Sequence, residues 1–507
     1  MMARAQMPTR FNMARYAIGR AAAADPHKVA LTVVADVDAP IAAAERWTYG
    51  ALDEAVRRIA AGLIAEGLAA GDRLLIRLPN GSDYALLFFG AIAAGIVPIP
   101  ASPQLTEEEA RFLLDNSGAA AVAGAAMTGA HRTIGGDALV RIKVAPPLPD
   151  YADTGAEDPA FLIYTSGTSR QPKGVLHAQR SAWGRRPIYD GWYGITRDDI
   201  MLHAGAFNWS FTLGAGLTDP WANGTSAVLY TGPHDPTVWP RLIAKTGATL
   251  FAAVPSLYRQ ILKYCDLTGG ALGTLRHGLA AGEALKPAIL ADWRAATGLE
   301  LYEAFGMSEC STFISTRPGT VARPGSPGRP QAGRRIGILP VEGGETPLPA
   351  GETGLLGIDR ADPGLMLGYW RLPEEDARTT RGSWFVGGDL ASIDADGTVW
   401  PAGRADDVMN AGGYRVSPQE VEAALAGHPA VADVAVTELR VREDVSVIAA
   451  FVVPRAGATP DAEALLAFAA SRLAAYKRPR QVIFLDALPR SANGKVLRRK
   501  LADMEAV

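Results

Sequence analysis

The sequence holds few of the residues that build disulfide frameworks and metal centres. Two cysteines, Cys265 and Cys310, occur among 507 residues, which is too few for a disulfide framework or a zinc site. None of the seven histidines pairs with another at the spacing of metal ligands, so we expect no zinc or iron. Scarce cysteine is typical of proteins in a reducing compartment, and we therefore expect a cytoplasmic protein.

Long apolar runs and a strong net charge are also missing. The longest apolar stretch, residues 84–100, is interrupted by Gly90, Gly95 and Pro98 and is shorter than the roughly 20 residues of a membrane-spanning helix. A buried helix followed by a buried strand is the better interpretation. The basic residues near the N-terminus have no apolar core after them, so we expect no signal peptide. A net charge of −3 gives no general attraction to nucleic acid or anionic membranes.

The residues that are present are typical of a folded protein with more than one domain. Apolar residues make up 48% of the chain and charged residues 20%, and 507 residues exceed one ordinary core. Helix and strand patterns alternate to about residue 310, which predicts parallel sheets with helices on their faces. Dense glycine and proline between 317 and 354 predict a β-rich subdomain. After residue 403, the patterns predict a compact α+β unit.

We therefore expect two domains. The first, residues 1–402, is a large α/β domain of stacked mixed or parallel sheets with helices, and it includes the β-rich subdomain at about 317–400. The second, residues 403–507, is a small α+β domain. Its last segment is basic, with Lys477, Arg490 and Arg498 among its cations. This segment is either a solvated face or a surface that receives the phosphates of a nucleotide ligand.

A loop rich in hydroxyl groups follows a short apolar run at 161–164. Gly167 frees the backbone to turn, so that successive N–H groups can point at one anion. Lys173 adds a point charge suited to phosphate. Further donors come from the hydroxyl groups of Thr165, Ser166, Thr168 and Ser169. The loop is not a Walker A motif, because Pro172 precedes the lysine and Gly174 follows it. A phosphate-binding loop is favoured, and an ordinary Ser/Thr/Gly turn is the alternative.

This loop resembles the signature loop of the adenylate-forming superfamily, which includes acyl-CoA ligases, stand-alone adenylation domains and luciferases. Its sequence at 164–174 is Tyr-Thr-Ser-Gly-Thr-Ser-Arg-Gln-Pro-Lys-Gly. Ser169 stands where the family usually has Thr, and it keeps the hydroxyl group. Arg170 stands where Gly is usual, and it removes backbone freedom and adds charge. Five further segments follow in the family's order, so that the resemblance spans about residues 12–501.

The resemblance implies a site for ATP. Residues 280–284 are similar to a turn that lies against the adenine, and residues 302–309 are similar to the family's aromatic-Gly-x-Thr-Glu motif. Phe305 would stack on the adenine, Glu303 would lie near its amine, and Ser308 would bind phosphate. Asp389 would accept both ribose hydroxyl groups, with Arg404 as a second ribose contact. The implied ATP-binding residues are Thr165, Ser166, Gly167, Thr168, Ser169, Lys173, Gly282, Glu283, Glu303, Ala304, Phe305, Ser308, Asp389, Arg404 and Lys495.

The resemblance also implies catalytic residues and a mobile C-terminal domain. Glu309 would hold Mg²⁺, which prefers oxygen ligands. Lys495 ends the run Pro-Arg-Ser-Ala-Asn-Gly-Lys at 489–495 and would be the lysine of adenylation. Asp406 matches the hinge about which the domain rotates. Gly412 and Gly413 match a turn that borders the tunnel for coenzyme A, and a simple hairpin turn is the alternative for them.

The acyl pocket of the family is lined by residues near these segments. The corresponding positions here are Ala206, Phe207, Asn208, Trp209, Phe211, Ala280, Ala281, Gly306 and Met307. Gly306 stands where acetate-specific relatives have Trp, so we expect a pocket for more than two carbons. The aromatic side chains favour an aryl, cyclic or branched acid, and a plain core is the alternative. The segments look most like those of benzoate-CoA-ligase-like members. His203 is either a pocket residue or a core histidine.

The implied function is ATP-dependent ligation of a carboxylic acid to coenzyme A through an acyl-adenylate. We expect ATP, Mg²⁺ and coenzyme A at the site, a small-molecule acid as substrate, no nucleic acid, and a monomer or homodimer. One alternative is an enzyme that loads the acid onto a carrier protein. Another, motivated by Ser169 and Arg170, is a catalytically silent nucleotide-binding protein. The presence of Glu309, Asp389 and Lys495 argues against the silent protein.

Overall fold

The computed structural model describes residues 6–504 except 166–170, 234, 269, 408, 412–413, 443–444 and 491–495. Packing divides the chain into two units. One unit comprises Met1–Arg335 and Asp359–Ser383, and the other comprises Ile336–Ile358 and Trp384–Val507. The domain boundary expected between residues 402 and 403 concerns motion of the C-terminal part and stays a prediction.

The elements are named in chain order. The strands are β1 (Val29–Val34), β2 (Glu45–Thr48), β3 (Arg73–Arg77), β4 (Val97–Pro100), β5 (Ala121–Gly124), β6 (Thr133–Ile134), β7 (Pro159–Thr165), β8 (Lys173–Ala178), β9 (Ile200–His203), β10 (Ser226–Tyr230), β11 (Leu250–Ala253), β12 (His277–Ala281), β13 (Leu301–Met307), β14 (Ser311–Ser315), β15 (Arg329–Pro330), β16 (Ile336–Leu339), β17 (Gly354–Asp359), β18 (Gly368–Tyr369), β19 (Thr380–Arg381), β20 (Trp384–Ile393), β21 (Val399–Arg404), β22 (Met409–Ala411), β23 (Tyr414–Val416), β24 (Val431–Arg442), β25 (Val445–Pro454) and β26 (Gln481–Phe484).

The α-helices are α1 (Arg20–Ala24), α2 (Tyr49–Ala65), α3 (Ser82–Ala93), α4 (Glu107–Ser117), α5 (Asp137–Lys143), α6 (Ser181–Gly184), α7 (Arg186–Ile188), α8 (Asp219–Ala222), α9 (Val238–Thr246), α10 (Pro255–Tyr264), α11 (Pro287–Thr297), α12 (Pro373–Thr379), α13 (Pro418–Ala426), α14 (Ala462–Ala470) and α15 (Arg498–Ala502). Wider π-helical turns occur at Arg15–Gly19, Tyr189–Tyr193 and Thr212–Thr218, and 3₁₀ turns at Ile41–Ala43, Ala405–Asp407 and Ala475–Lys477.

The larger unit is built on a mostly parallel sheet. Its strands lie in the order β15-β14-β13-β12-β11-β9-β10-β1-β2, with β2, β14 and β15 antiparallel to their neighbours. A second sheet is parallel and has the order β4-β3-β5-β6. A third is antiparallel and has the order β18-β8-β7. Strands and helices alternate along the chain as the sequence patterns predict, and the expected α/β fold is confirmed.

The apolar stretch at 84–100 forms a buried helix and a buried strand, as predicted. Every residue of α3 from Tyr84 to Ala93 is buried, so this helix has no polar face and packs as part of the core. Gly95 then adopts a φ of +73°, which lets the chain turn into β4. Within the described residues, no helix has the length and apolar character needed to cross a membrane.

The smaller unit combines an antiparallel sheet with an α+β segment. β16, β17, β20 and β21 lie in one sheet. Farther along, β24 and β25 pair antiparallel and β26 joins β25 in parallel. Helices α13 and α14 bury Val421, Leu425 and Leu465 against these strands. Strands and helices occur together here, as the α+β pattern predicted after residue 403 requires, and β24 extends to Arg442.

The sheet order of the larger unit places two of the predicted motifs at one edge. β9, β11, β12 and β13 are parallel neighbours, so their carboxyl ends meet at the same edge of the sheet. The chain leaves β12 at Ala281 and β13 at Met307. Residues 282–285 and 308–309 therefore follow neighbouring strand ends, which is where ligands bind in open α/β sheets.

Candidate active site

The turn at 282–285 lies beside the strand that carries Glu303. In the parallel pair β12–β13, Ala280 is opposite Glu303 and Ala281 is opposite Ala304. The backbone N–H of Leu285 donates a hydrogen bond of 2.9 Å to Oε1 of Glu303. The structure therefore brings together the two segments that the sequence predicts at the adenine.

Glu303 has an unusual carboxyl group. The residue is half-buried, and the loss of water contact raises its pKa to about 7, while the hydrogen bond from Leu285 acts to lower it. The backbone N–H of Glu303 donates a hydrogen bond of 2.8 Å to Oγ1 of Thr316, which fixes the strand at this point. Near neutral pH this carboxyl group exchanges a proton, so that it can either accept or donate a hydrogen bond.

Gly282 joins the predicted adenine turn to the predicted acyl wall. Its φ of +90° favours glycine. A β-carbon added here would lie 2.5 Å from Cη2 of Trp209, so the indole ring packs directly against the glycine. Any larger residue at 282 would displace Trp209.

Glu283 has a local partner that the sequence does not reveal. Its two carboxylate oxygens accept hydrogen bonds from Oγ of Ser256 at 3.1 Å and from the backbone N–H of Ser256 at 3.2 Å. Ser256 lies in the first turn of α10, where a negative charge stabilises the helix. Contact of Glu283 with ATP stays a prediction.

Phe305 and Ser308 follow Glu303 on the same strand and turn. The ring of Phe305 meets that of Phe313 edge to face, with centroids 5.7 Å apart, and this contact orients the ring. The carbonyl oxygen of Ser308 lies 2.8 Å from Nε2 of His177. Both residues stand at the carboxyl end of β13 as the motif requires, and their contacts with ATP stay predictions.

Glu309 is held by a tyrosine. Oη of Tyr369 donates a hydrogen bond of 2.7 Å to Oε1 of Glu309. Burial and the neighbouring Glu309 raise the pKa of Tyr369, so the phenol keeps its proton and remains a donor. The carboxylate is thereby oriented before any ligand is present.

Lys173 is held by an acidic partner close to the same tyrosine. Its Nζ lies 2.6 Å from Oε1 of Glu375, and the two side chains are only 13% and 15% exposed. Nζ also lies 5.8 Å from the centroid of the Tyr369 ring. Burial acts to raise the pKa of Glu375, but the hydrogen bonds from Arg378 and Lys173 outweigh it and hold the pKa below its ordinary value. The two charged residues of separate motifs, Lys173 and Glu309, thus meet around one aromatic ring.

Tyr369 and Glu375 were missed by sequence reasoning. Tyr369 lies on β18 and Glu375 lies on α12. Tyr369 reaches the site because β18 pairs with β8, which places Tyr369 opposite Val175. The sequence around them shows an aromatic pair followed by a proline and three acidic residues, which indicates a strand and a helix start. No local pattern reports that Glu375 contacts a lysine 202 residues away.

The predicted phosphate loop connects the strands of a hairpin. β7 and β8 are antiparallel, and Thr165 is opposite Lys173, so both residues stand at the base of the loop. The remaining loop positions lie outside the described residues, and their roles stay predictions: Ser166, Gly167, Thr168, Ser169 and Arg170.

Part of the predicted acyl pocket forms one aromatic wall. The ring centroids of Trp209 and Phe211 are 5.3 Å apart and the rings are nearly perpendicular, and Trp192 stacks on Phe211 with centroids 5.8 Å apart. Ala281 and Ala304 belong to the same apolar cluster. Trp192 was not predicted, and the sequence gives no sign that it approaches Phe211.

Other predicted pocket residues lie elsewhere. Ala280 packs on the opposite face of the sheet from Ala281, because neighbouring residues of a strand point to opposite faces. Phe207 is buried against Tyr84, with ring centroids 5.4 Å apart. Ala206 is exposed. None of these three residues belongs to the apolar cluster around Phe211, and their substrate contacts stay predictions. Asn208 and Met307 are half-buried, and their substrate contacts stay predictions.

Gly306 is required by the hairpin between β13 and β14. It is opposite Thr312, and an added β-carbon would clash with the backbone oxygen of Ser311 and lie 2.6 Å from Cα of Thr312. The glycine thus allows the close approach of two strands, a reason that the sequence does not show. Its effect on pocket size stays a prediction.

His203 packs in the core beside the acyl wall. Its Nδ1 accepts a hydrogen bond of 2.9 Å from the N–H of Gly205, and its ring meets Phe211 edge on at 4.4 Å. Burial lowers its pKa to about 3, so the ring is neutral. The core interpretation of this residue fits these contacts.

The two predicted ribose contacts are neighbours in the smaller unit. Asp389 on β20 is opposite Arg404 on β21, and Nη1 of Arg404 lies 3.4 Å from Oδ1 of Asp389. Nη2 of Arg404 also donates a hydrogen bond of 3.2 Å to the carbonyl oxygen of Gly387. The pair is therefore fixed by strand register, as its proposed shared role requires.

The remaining predicted residues lie in the C-terminal part of the chain. Lys495, Gly412 and Gly413 lie outside the described residues. The backbone of Asp406 lies in the 3₁₀ turn Ala405–Asp407 that follows β21. The catalytic, coenzyme A and hinge roles of these residues stay predictions.

The arrangement can be compared with known proteins. Residues 18–370 match the sequence profile of AMP-binding enzymes, and residues 420–495 match that of the C-terminal domain of these enzymes. The chain belongs to the AMP-binding enzyme family. The predicted superfamily is thereby confirmed.

This AMP-binding enzyme is similar to acyl-CoA synthetases and ligases along most of its length. It is 32% identical to human mitochondrial acyl-coenzyme A synthetase ACSM5, over 91% of this chain and 84% of that protein. A benzoate CoA ligase from Burkholderia xenovorans LB400 is 30% identical, with a TM-score of 0.86 and coverage of 97% and 100%. ATP-bound MatB from Rhodopseudomonas palustris is 27% identical, with a TM-score of 0.89 and coverage of 97% and 98%. On these likenesses the AMP-binding enzyme is an acid–thiol ligase that uses ATP.

Glu309 has the chemistry that Mg²⁺ requires. It is half-buried, and its carboxylate offers oxygen atoms, one of which is oriented by Tyr369. Mg²⁺ is usually bound through one or two carboxylates together with the phosphates of the substrate. This AMP-binding enzyme therefore has a suitable protein ligand next to Lys173, the candidate phosphate-binding cation.

Proposed function

We propose that this AMP-binding enzyme ligates an aryl or similarly bulky carboxylic acid to coenzyme A through an acyl-adenylate. The contacts around Tyr369 support this most directly. Its phenol donates to Glu309, and the ammonium group of Lys173, which pairs with Glu375, lies 5.8 Å from the centroid of its ring. A cation for phosphate and a carboxylate for Mg²⁺ thus share one aromatic neighbour. The likeness to an acyl-coenzyme A synthetase and to a benzoate CoA ligase supports the same reaction.

In the first half-reaction, a carboxylate oxygen of the acid attacks the α-phosphorus of ATP, and the bond to pyrophosphate breaks. Carboxylate and phosphate repel each other, so positive charge and hydrogen-bond donors are needed where charge develops. Lys173 and the loop hydroxyl groups bind the phosphates, and Lys495 approaches the reacting centre. Glu309 would hold Mg²⁺ together with phosphate oxygens, and the ion neutralises phosphate charge when it is bound.

In the second half-reaction, the sulfur of coenzyme A attacks the acyl carbonyl carbon. The bond between that carbon and the oxygen of AMP breaks, AMP leaves, and the thiol proton is released. Lys495 is not needed for this step. We propose that residues 403–507 rotate about Asp406 between the two steps, so that Gly412 and Gly413 border the path of the thiol.

The proposed acid follows from the wall around Phe211. Trp209 and Trp192 flank this ring, and aromatic side chains favour packing against flat or compact apolar groups. The likeness to a benzoate CoA ligase supports an aryl acid. An acid larger than acetate is expected, whether it is aryl, cyclic or branched.

Coenzyme A, rather than a carrier protein, is the proposed acceptor. The basic C-terminal segment supports this less than its composition suggests, because several of its cations already have acidic partners. These pairs are Lys477 with Glu420, Arg490 with Asp433 and Arg498 with Glu422. The acceptor is therefore proposed from the relatives. A cytoplasmic location and a monomeric or homodimeric state also stay predictions.

The proposed function is tested by pyrophosphate release from ATP and Mg²⁺ with a panel of carboxylic acids, with and without coenzyme A. We expect release that depends on the acid, is faster with aryl acids than with acetate, and speeds up with coenzyme A. Release that coenzyme A does not affect would favour a carrier-protein acceptor. Binding of ATP without release for any acid would favour a catalytically silent protein.

A further inference from the structure

A cavity lined by both apolar and polar residues lies beside the turn that carries Glu309. Its volume is about 30 Å³, which is room for about two groups of the size of water. It is lined by the turn at 308–311, by the helical segment that follows Trp209, by residues on and after β8, and by the apolar residues Met13, Phe88 and Phe161. The polar residues among its walls are His177, Ser181, Arg185, Ser210, Thr218, Ser308 and Ser311.

Two of these side chains have hydrogen-bonding capacity that is not used. His177 and Ser181 are 4% and 5% exposed. Nε2 of His177 faces the carbonyl oxygen of Ser308 at 2.8 Å, so Nε2 carries the proton and Nδ1 carries a lone pair. Burial lowers the pKa of His177 to about 4, which keeps the ring neutral. Among the described residues, neither Nδ1 of His177 nor Oγ of Ser181 has a hydrogen-bond partner.

The positive charge at the cavity is already neutralised. Nε and Nη2 of Arg185 donate to the two carboxylate oxygens of Asp219 at 2.7 and 2.5 Å, and Tyr193 donates to the same carboxylate at 2.7 Å. Nη1 of Arg185 donates to Oγ of Ser311. Asp219 is fully buried, so a ligand carboxylate here would lie close to an existing buried negative charge. The group that fits is neutral.

A hydroxyl group meets both requirements. It can donate to the lone pair on Nδ1 of His177 and accept from the hydroxyl group of Ser181. An apolar group in the same place would leave both buried atoms without partners, which is costly. A charged group would lie next to Asp219 or Arg185 and disturb their pairing.

The cavity adjoins the candidate acyl wall. Ser210 contributes to the cavity and lies between Trp209 and Phe211 in the chain, and Leu213 and Gly214 follow in the same helical segment. Ser308 and Ser311 belong to the turn that carries Glu309. Tyr193, which donates to Asp219 at the cavity, also packs on Trp192 of the wall with ring centroids 4.9 Å apart. The cavity and the wall therefore share neighbours, as a substituent that extends from one into the other requires.

We propose that the acid activated by this enzyme carries a hydroxyl group, which binds in this cavity between His177 and Ser181. The inference rests on the proposed ligase function and deepens it by naming the substrate class, a hydroxylated aryl or cyclic acid. The hydroxyl group takes no part in the chemistry, and its role is recognition.

The test compares acids in matched pairs with the wild-type enzyme, ATP, Mg²⁺ and coenzyme A. Suitable pairs are benzoate against 2-, 3- and 4-hydroxybenzoate, and cyclohexanecarboxylate against its ring-hydroxylated forms. We expect kcat/KM for at least one hydroxy acid to exceed that of its unsubstituted partner by about 10–100-fold, because a buried polar site discriminates against a substrate that leaves it unpaired. Unsubstituted acids that react as well as every hydroxy acid would overturn this inference and leave the ligase function standing.

A variant locates the effect. Ser181→Ala should reduce the preference for the best hydroxy acid to within about threefold, since one of the two partners is lost. Ser226→Ala is the matched control, because its hydroxyl group donates to the carbonyl oxygen of Val29 and has no part in the cavity. A preference that survives Ser181→Ala unchanged would overturn the assignment and leave the cavity to water. Failure of every acid to release pyrophosphate would refute the proposed function, and this inference with it.

Discussion

At the scale of single residues, the carboxyl group of Glu303 links the site to pH. Its pKa is raised to about 7 because protein surrounds it, whereas an unfolded chain would leave it near the ordinary value of a glutamate. Tyr369 is another residue with a defined single role, since its hydroxyl group orients Glu309. Each can be altered by the loss of one functional group with little change in shape.

Glu303→Gln should remove a pH dependence of stability. A carboxyl group whose folded pKa is raised contributes stability that is fully present below its unfolded pKa and is lost as the pH rises to about 7. The wild type should therefore lose up to about 3 kcal/mol relative to the variant as the pH rises from below 4.5 to above 7, at about 1.4 kcal/mol per pKa unit. Urea unfolding of both proteins between pH 4 and pH 8 measures this difference.

The control for this experiment is Glu342→Gln, at an exposed position in the turn that follows β16. Its stability should follow that of the wild type at every pH. A constant difference between wild type and Glu303→Gln across the range would contradict the raised pKa.

Tyr369→Phe should weaken the use of Mg²⁺ and ATP. The change leaves the ring near Lys173 but removes the hydrogen bond to Glu309, and a hydrogen bond to a charged group contributes about 1.5–3 kcal/mol. We expect kcat/KM for ATP to fall about 10–100-fold and the Mg²⁺ concentration for half-maximal rate to rise. Tyr264→Phe, at a side chain that is 57% exposed, should leave both values unchanged. An unaltered Mg²⁺ requirement in Tyr369→Phe would show that this hydrogen bond does not position Glu309.

At the scale of elements, the site depends on how neighbouring strands end. The parallel register of β12 and β13 brings the 282–285 turn to Glu303, and the β13–β14 hairpin requires Gly306 because the strands approach closely. The positive φ of Gly282 then lets Trp209 pack on the turn. The strand ends thereby determine where the aromatic wall begins.

Gly282→Ala should perturb both stability and acid binding. The φ of +90° costs about 1 kcal/mol for a residue with a β-carbon, and the clash with Trp209 adds about 1–3 kcal/mol. Gly71→Ala separates the two effects, because Gly71 has a φ of +85° and no atom within 4 Å of its added β-carbon. Urea unfolding should show the larger loss for Gly282→Ala, and only this variant should raise KM for the acid. Equal losses for both variants would mean that Trp209 does not pack against the turn in solution.

Sequence patterns predicted the elements better than the contacts between them. The hairpin that places Thr165 opposite Lys173 and the register of Asp389 with Arg404 follow from motifs that are close in the chain. Ala280 and Ala281 were both predicted to line the pocket, although the two-residue alternation of a strand already turns them to opposite faces. Glu375 and the Arg185–Asp219 pair depend on long-range packing, for which one sequence carries no signal. Phe207 is aromatic and lies in the segment predicted to line the acyl pocket, but only the fold shows that its ring packs on Tyr84.

At the scale of the whole molecule, the proposed reaction needs two arrangements of the C-terminal part. Glu309 belongs to the larger unit, whereas Asp406, the predicted hinge, belongs to the smaller one. A lysine that serves only the first half-reaction can leave before the thiol arrives. The two half-reactions should therefore respond differently to its removal.

Lys495→Ala should slow acid-dependent pyrophosphate release by at least about 100-fold, since it removes the donor that is proposed to act where charge develops. Formation of the thioester from supplied acyl-adenylate and coenzyme A should stay within about threefold of the wild type. Lys500→Ala, at an exposed position in α15, should leave both rates unchanged. Equal losses in the two half-reactions would contradict the rotation of residues 403–507.

The ion pair between Lys173 and Glu375 also determines which anions the resting enzyme attracts. A lysine with a carboxylate partner presents little net charge to the solution. An incoming anion must displace Glu375 before it gains the attraction of Lys173, so the net free energy of its binding is small. Orthophosphate and sulfate offer the site charge alone, whereas ATP would add the predicted adenine contact. Competition from small inorganic anions should therefore be weak, and nucleotide selectivity would arise ahead of the proposed rotation.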